Sequence, residues 1–227
     1  MKKTFKTALI ATLPVLGGYL VLGFGFGIVL RSAGFGIPLA IAMSALIYAG
    51  SMQYVAVGLL SGGASLITAA LTTLMVNARH IFYGVSMLDR YRDTGWRRPY
   101  LIFSLTDETY SLVCCDNPEL ESGQRNGYYL SVSALNHAYW VLGTALGAIA
   151  GSLISFNSEG IDFALTALFV TVATEQWISS KNHAPALIGL SASVLCLLVF
   201  GADTFLIPAM LLIALILCLE REETVDG

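Results

Sequence analysis

Met75-Val-Asn-Ala-Arg-His-Ile-Phe-Tyr83 sets an amide, a guanidinium and an imidazole within four positions, inside a run from Ala64 to Leu88 that is otherwise apolar or small. A charged side chain at bilayer depth costs from about 2.5 to over roughly 10 kcal/mol depending on the reference state, so it persists only where it is paired, wetted or able to reach an interface. Asn77, Arg79 and His80 are therefore the first candidates for a functional site. The plainer reading ends a helix near His80 and lets Arg79 snorkel to the headgroups. Length argues against it, because Ala64 to Ala78 would span only about 22 Å at 1.5 Å per residue, short of the roughly 30 Å hydrocarbon core. The segment either runs on through Leu88 or is re-entrant, and both place Arg79 inside. On a straight helix Asn77 and His80 share a face while Arg79 points away from Asn77. A broken or locally unwound helix would let all three line one cavity, as discontinuous helices do in transporters.

The rest of the chain agrees with a membrane setting. Of 227 residues, 56% are hydrophobic and 12% charged, with mean hydropathy +0.73, and a soluble domain would need about twice that charged fraction. A net charge of -3 argues against nucleic acid, which asks for basic patches. The four cysteines are no framework: Cys114 and Cys115 adjoin, and Cys196 and Cys218 lie in apolar runs, which reads as buried free thiols. No CxxC, HExxH or Ser/His/Asp spacing appears, so neither a cofactor nor a metal has a foothold. Lys2, Lys3 and Lys6 precede an apolar run, Ala8 to Leu30, that is longer than a signal-peptide core and is expected to remain as a span.

Apolar segments fall at about 8–30, 37–60, 64–88, 100–115, 128–154, 161–180, 184–200 and 203–220, with strongly polar connections only at 89–99 and 116–127. That predicts an all-α integral membrane protein, a polytopic helical bundle with six to eight hydrophobic segments, some broken or re-entrant, forming a single transmembrane domain over 1–227. An internal echo divides it. Tyr19-Leu-Val-Leu-Gly-Phe-Gly-Phe-Gly27 lines up with Tyr139-Trp-Val-Leu-Gly-Thr-Ala-Leu-Gly147, and Ser51-Met-Gln-Tyr54 with Thr174-Glu-Gln-Trp177, at offsets of about 120. Two pseudo-repeats, about 8–115 and 128–220, follow, with Gln53 and Gln176 as counterparts and substrate held where the halves meet. Gly23-x3-Gly27 and Gly143-x3-Gly147-x3-Gly151 read as close helix packing; a dinucleotide turn would need a preceding strand.

Charge leaves orientation open. The Lys2–Lys6 cluster and the loop carrying Arg90, Arg92, Arg97 and Arg98 both ask for the cytoplasm, yet three full crossings between them would separate them. Either an early segment is incomplete or the N-terminus departs from the rule.

Further polar residues lie within the apolar segments. Ser104, Asp107, Glu108 and Ser111 recur at helical spacing as a polar stripe, which either faces a cavity or lies flat at the interface. Asp107 and Glu108 are the natural counter-charges for Arg79. The second half adds Asn136, His137, Tyr139, Trp140, Glu175 and Gln176, although Glu175 also lies within ion-pair reach of Lys181, and Trp140 and Trp177 suit an interfacial belt as well as a pocket. Together the inventory fits a small zwitterion: Arg79 or helix N-termini for a carboxylate, an acid for an ammonium, and apolar walls for a side chain. Substrate binding is assigned to Gln53, Asn77, Arg79, His80, Asp107, Glu108, Asn136 and Gln176. Asp107, Glu108, His80 and Glu175 are the candidates for proton coupling.

Ala49-Gly-Ser-Met-Gln53, Asn77-Ala-Arg-His-Ile-Phe-Tyr83, Thr106-Asp-Glu-Thr-Tyr110 and Asn136-His-Ala-Tyr-Trp-Val-Leu-Gly143 resemble successive signatures of the AzlC family, the large subunits of bacterial two-component exporters of branched-chain amino acids. The resemblance runs from about Leu13 to Glu220. It implies an inner-membrane permease that exports valine, leucine, isoleucine or related neutral amino acids together with a small AzlD-type membrane subunit. The alternatives are a membrane-embedded enzyme acting on a lipid or lipid-linked substrate through Asp107, Glu108 and His80, and a structural subunit whose partner carries the passage.

Overall fold

A computed structural model describes residues 2–114, 120, 122–153, 170, 173–174, 177–178, 182–201, 205, 208–209, 211–213 and 215–217. Every element among them is helical. The chain forms two compact units, 1–164 and 165–227. Of the second unit the structure describes one long helix, Ala184–Phe200, begun by Pro185 and ended at Gly201 (φ 77°).

In the first unit the sequence spans first a long helix, α1 (Lys2–Ser32), then three pairs of short ones. At 31 residues α1 is about 46 Å long. Lys3–Ser32 is the one described helix both long and apolar enough to cross a membrane, a statement of length and composition. It stops at Gly34 (φ 89°), where Phe35 N–H bonds back to the Leu30 carbonyl at 3.2 Å and closes a Schellman turn. The expected 37–60 segment is two helices, α2 (Ile37–Leu46) and α3 (Gly50–Ser61). Between them Tyr48 holds φ at 48°, a left-handed conformation that disfavours an L side chain by about 1–2 kcal/mol. Its ring is 97% buried and packs 4.4 Å from that of His137, which holds the break in place. The 64–88 segment is also divided, into α4 (Leu66–Asn77), capped by Ser65, and α5 (Arg79–Ser86).

The stretch expected to carry one polar stripe is likewise broken. Helix α6 (Arg98–Phe103) ends at Ser104, and α7 (Asp107–Val113) starts afresh because Thr106 turns its hydroxyl onto the Thr109 N–H at 3.2 Å. Ser104 is buried, bonded to the Tyr100 carbonyl, and does not share a surface with Asp107 and Glu108. Helical spacing across 104–111 therefore misled: the cap at Thr106 resets the register.

Helix α8 (Arg125–Leu153) runs parallel to α1. The pairing is visible position by position: Thr4 beside Gly127, Tyr19 and Leu20 on Gly143, Phe24 on Gly147, and Arg31 on Gly151. A Cβ at Gly23 would stand 2.9 Å from the Trp140 carbonyl, and one at Gly147 would overlap the Phe24 backbone. The echoed glycines thus face one another and let two backbones touch, the close packing expected of them.

This parallel pair settles the order of the basic clusters. Ala8 near the start of α1 shares one buried cluster with Met87, Tyr91, Leu101 and Tyr128, and Asn126 bonds to the Asp93 carbonyl at 2.9 Å. The lysine-rich start and the arginine-rich 89–98 loop therefore lie at the same end of the unit. Much of the unit's surface is strongly apolar; α4 buries no residue, and Leu66, Ile67 and Leu74 stand exposed. An apolar exterior of this kind needs lipid or a partner to cover it.

Candidate functional site

Arg79 joins three chain breaks. At Ala78 the helical hydrogen bonds shorten to the i, i+3 pattern, Ala78 N–H to Met75 carbonyl at 3.3 Å and Ile81 N–H to Ala78 carbonyl at 3.1 Å, while φ and ψ stay right-handed. The interruption is a tightened turn rather than the unwinding that three cavity-lining side chains would need. It aims the Arg79 guanidinium at two helix starts: Nη1 donates to Asp107 Oδ2 at the first residue of α7, and Nη2 donates to Ser51 Oγ at the second residue of α3, at 2.9 Å. Arg79 and Asp107 remain 37% and 30% exposed, so the pair is reachable. Ala49, which precedes α3, offers no side-chain cap, so the positive end of that helix, beside the guanidinium, has no side chain of its own on its first N–H groups. Asn77 contributes its carbonyl to His80 Nδ1 at 3.2 Å. His80 packs edge-on to Tyr83, which stacks on Tyr110 at 4.9 Å and fixes α5 against α7.

Glu108 follows a different path into the bundle. The Tyr19 hydroxyl donates to Glu108 Oε2 at 2.7 Å and lies 2.7 Å from Thr106 Oγ1. Thr106 Oγ1 is 3.1 Å from Thr109 Oγ1, which accepts from Asn136 Nδ2 at 3.0 Å. Asn136 and Thr109 are fully buried, and Asn136 Oδ1 finds no protein donor. This chain connects α1, α7 and α8 and brings two sequence-predicted residues, Glu108 and Asn136, into one network.

Gln53 sits in a third. Fully buried, it donates from Nε2 to Ser44 Oγ at 3.0 Å and accepts from Trp140 Nε1 at 2.8 Å, while Ser44 donates to Thr144 at 2.8 Å. Both ends of the amide are engaged, one N–H and one lone pair of the oxygen being used. Trp140 is 96% buried and is no belt residue; its ring meets Tyr19 edge-on at 5.4 Å, which links this network to that of Glu108. His137, one position past Asn136, takes the Tyr100 hydroxyl at 3.2 Å. Gln176 and Glu175, the remaining predicted residues, lie outside the described residues.

Sequence reasoning missed Tyr19, Tyr48, Ser51, Ser44, Thr106, Thr109 and Thr144. Small hydroxyls give no hydropathy signal, but Thr106-Asp-Glu-Thr109 did carry one: a threonine followed by two acids is a helix start. Among the described residues no group of three or more His, Cys, Asp or Glu side chains gathers to hold a metal ion.

Known proteins place this arrangement. The AzlC protein family model matches residues 14–154. A Bacillus subtilis protein named branched-chain amino acid transport protein AzlC is 46% identical over 219 residues, 96% of this chain and 85% of the relative. A Helicobacter pylori membrane protein is 42% identical over 97% of this chain and 96% of its own length, and the Escherichia coli inner membrane protein YgaZ is 28% identical over 94% and 87%. No solved structure matches the chain. A family match across most of the first unit and a relative sharing nearly half its residues from end to end lead to one conclusion: this chain belongs to the AzlC family.

Proposed function

We propose that the chain is the permease subunit of a secondary exporter that moves branched-chain or related neutral amino acids across the bacterial inner membrane, working with a small AzlD-type membrane subunit. Transport, rather than chemistry on a lipid, is what the named Bacillus relative supports. The observation that carries the substrate class is Arg79 set between the uncapped start of α3 and Asp107. A guanidinium beside a helix N-terminus that has no side-chain cap favours a carboxylate, and an ion pair about one-third exposed can open to receive one. Substrate binds around Arg79, Asp107 and Glu108, with Gln53, Asn77, His80 and Asn136 as the further polar groups this unit offers it. Asp107, Glu108, His80 and Glu175 are the groups available for proton coupling.

Lys2–Lys6 and Arg90–Arg98 at one end make that end cytoplasmic by the positive-inside rule. The contact of Gly23 with Gly143, its counterpart in the sequence echo, and the parallel run of α1 and α8 favour a duplicated origin for these two helices. The exposed α4 offers a face for lipid or for the small subunit.

The test is uptake of labelled leucine, valine and isoleucine into inverted membrane vesicles carrying this chain with its small subunit. Accumulation above vesicles lacking the pair is expected, with the amino acid recovered unchanged. No accumulation of any neutral amino acid removes the transport reading.

A further inference from the structure

We infer that Glu108, Tyr19, Tyr48 and Thr106 form a site for a single positive charge, and that in the transport cycle this charge is the α-ammonium of the substrate. The inference rests on the amino-acid transport reading and assigns the second pole of its substrate.

Arg79 bonds Asp107 and Ser51 and not Glu108, and among the described residues no cationic side chain pairs with Glu108. The carboxylate instead takes a single neutral donor, the Tyr19 hydroxyl. Around it the groups are oxygen-rich: the Tyr19 and Thr106 hydroxyls lie 2.7 Å apart, and the ring of Tyr48, whose buried hydroxyl makes no hydrogen bond, packs against Tyr19. Tyr48 is 97% buried, and its hydroxyl is one of the few in the unit left without a partner. It sits at the α2–α3 break, where packing of its ring against His137 goes with a left-handed backbone. Unsatisfied buried polar atoms next to a carboxylate point to a ligand that supplies what they lack.

The walls agree. Tyr19, which bonds the carboxylate, meets Tyr48 edge-on at 6.5 Å and Trp140 at 5.4 Å, so the site is backed by aromatic rings. A carboxylate and hydroxyl oxygens together select a compact cation. An ammonium has three donors to divide among Glu108 and the hydroxyl oxygens. Glu108 directly follows Asp107, the partner of Arg79, so the cation site adjoins the site for a carboxylate. A molecule carrying both charges as substituents of one carbon would be held by both and so orient its side chain.

A free monovalent cation shares this chemistry, and the experiment separates the two sources. Competition against labelled leucine uptake in inverted vesicles is measured for leucine, 3-methylbutylamine, which lacks the carboxylate, and 4-methylpentanoate, which lacks the amine. Each is run in sodium and in choline buffer, for wild type, Glu108→Gln and Tyr48→Phe. The expected result for Glu108→Gln is a loss of about 10- to 100-fold in apparent affinity for leucine and the amine, the range of one charged hydrogen bond. The acid should change little. Tyr48→Phe should weaken the same two compounds while leaving the thermal midpoint of the purified protein unchanged or raised, since it deletes an unpartnered buried hydroxyl. A purely structural tyrosine would not divide the compounds in this way. Equal losses for all three compounds, no effect of Tyr48→Phe on leucine, or affinities that follow sodium for the acid as well as the amine would each overturn the assignment. If wild-type vesicles accumulate no leucine, the transport reading fails by itself. Equilibrium binding of the same three compounds to the purified chain then judges the cation site.

Discussion

Neutralising Arg79 and Asp107 singly and together separates a strut from a binding group. Both side chains are about two-thirds buried. Fully exposed pairs contribute about 0.2–1 kcal/mol, whereas removing one member of a fully buried pair costs about 3–5 kcal/mol. An intermediate site gives about 2 kcal/mol for Arg79→Gln or Asp107→Asn alone, a roughly 30-fold fall in the folded-to-unfolded ratio. Arg79→Gln also removes the bond to Ser51, so it should be the worse of the two. In the double variant no charge is left unpaired, and most of the loss should return. Stability is read from unfolding in mixed detergent micelles, and function from leucine flux in vesicles at matched protein levels. A group that only ties α5 to α3 and α7 predicts that flux recovers with stability. A group that receives the substrate carboxylate predicts that stability recovers while flux stays below about a tenth of wild type, as the loss of a charged hydrogen bond in transit would require. Wild-type flux in the double variant would refute the role given to Arg79.

Two further perturbations test the frame around the site. Gly147→Ala places a methyl against the Phe24 backbone, which cannot swing aside, so α1 and α8 must part; the expected cost is about 1–3 kcal/mol in detergent unfolding, while Gly17→Ala, with no atom within 4 Å, should cost nothing. Gln53→Leu strands the buried Trp140 N–H while Ser44 keeps its bond to Thr144, so about 1–3 kcal/mol should be lost, and pairing it with Trp140→Phe should recover part of that; additive losses would show that the amide and the indole do not interact.

How much of this was legible beforehand follows from what each residue does to the chain. Arg79 announced itself because a guanidinium in an apolar run has few places to go, and its pairing with Asp107 followed from the scarcity of acids in the first half. The facing glycines were legible for a similar reason: a missing Cβ every fourth residue has one common use in a membrane helix. The breaks were harder. Tyr48 adopts a left-handed backbone with a side chain that resists it, a conformation that tertiary packing against His137 imposes and that local propensity argues against. Ala78 interrupts its helix with ordinary dihedrals, and nothing in Asn77-Ala-Arg79 marks a stop. The hydroxyl network was invisible for a different reason. Tyr19, Ser44, Thr106, Thr109 and Thr144 are individually unremarkable in an apolar helix, and they acquire meaning only when helices distant in sequence bring them within 3.2 Å of a carboxylate, an amide or one another. Charge is legible in a greasy sequence because it is expensive by itself. Neutral hydrogen-bonding groups are cheap singly and become a site only by convergence, so Glu108 was found from the sequence while the tyrosines that surround it were found from the fold.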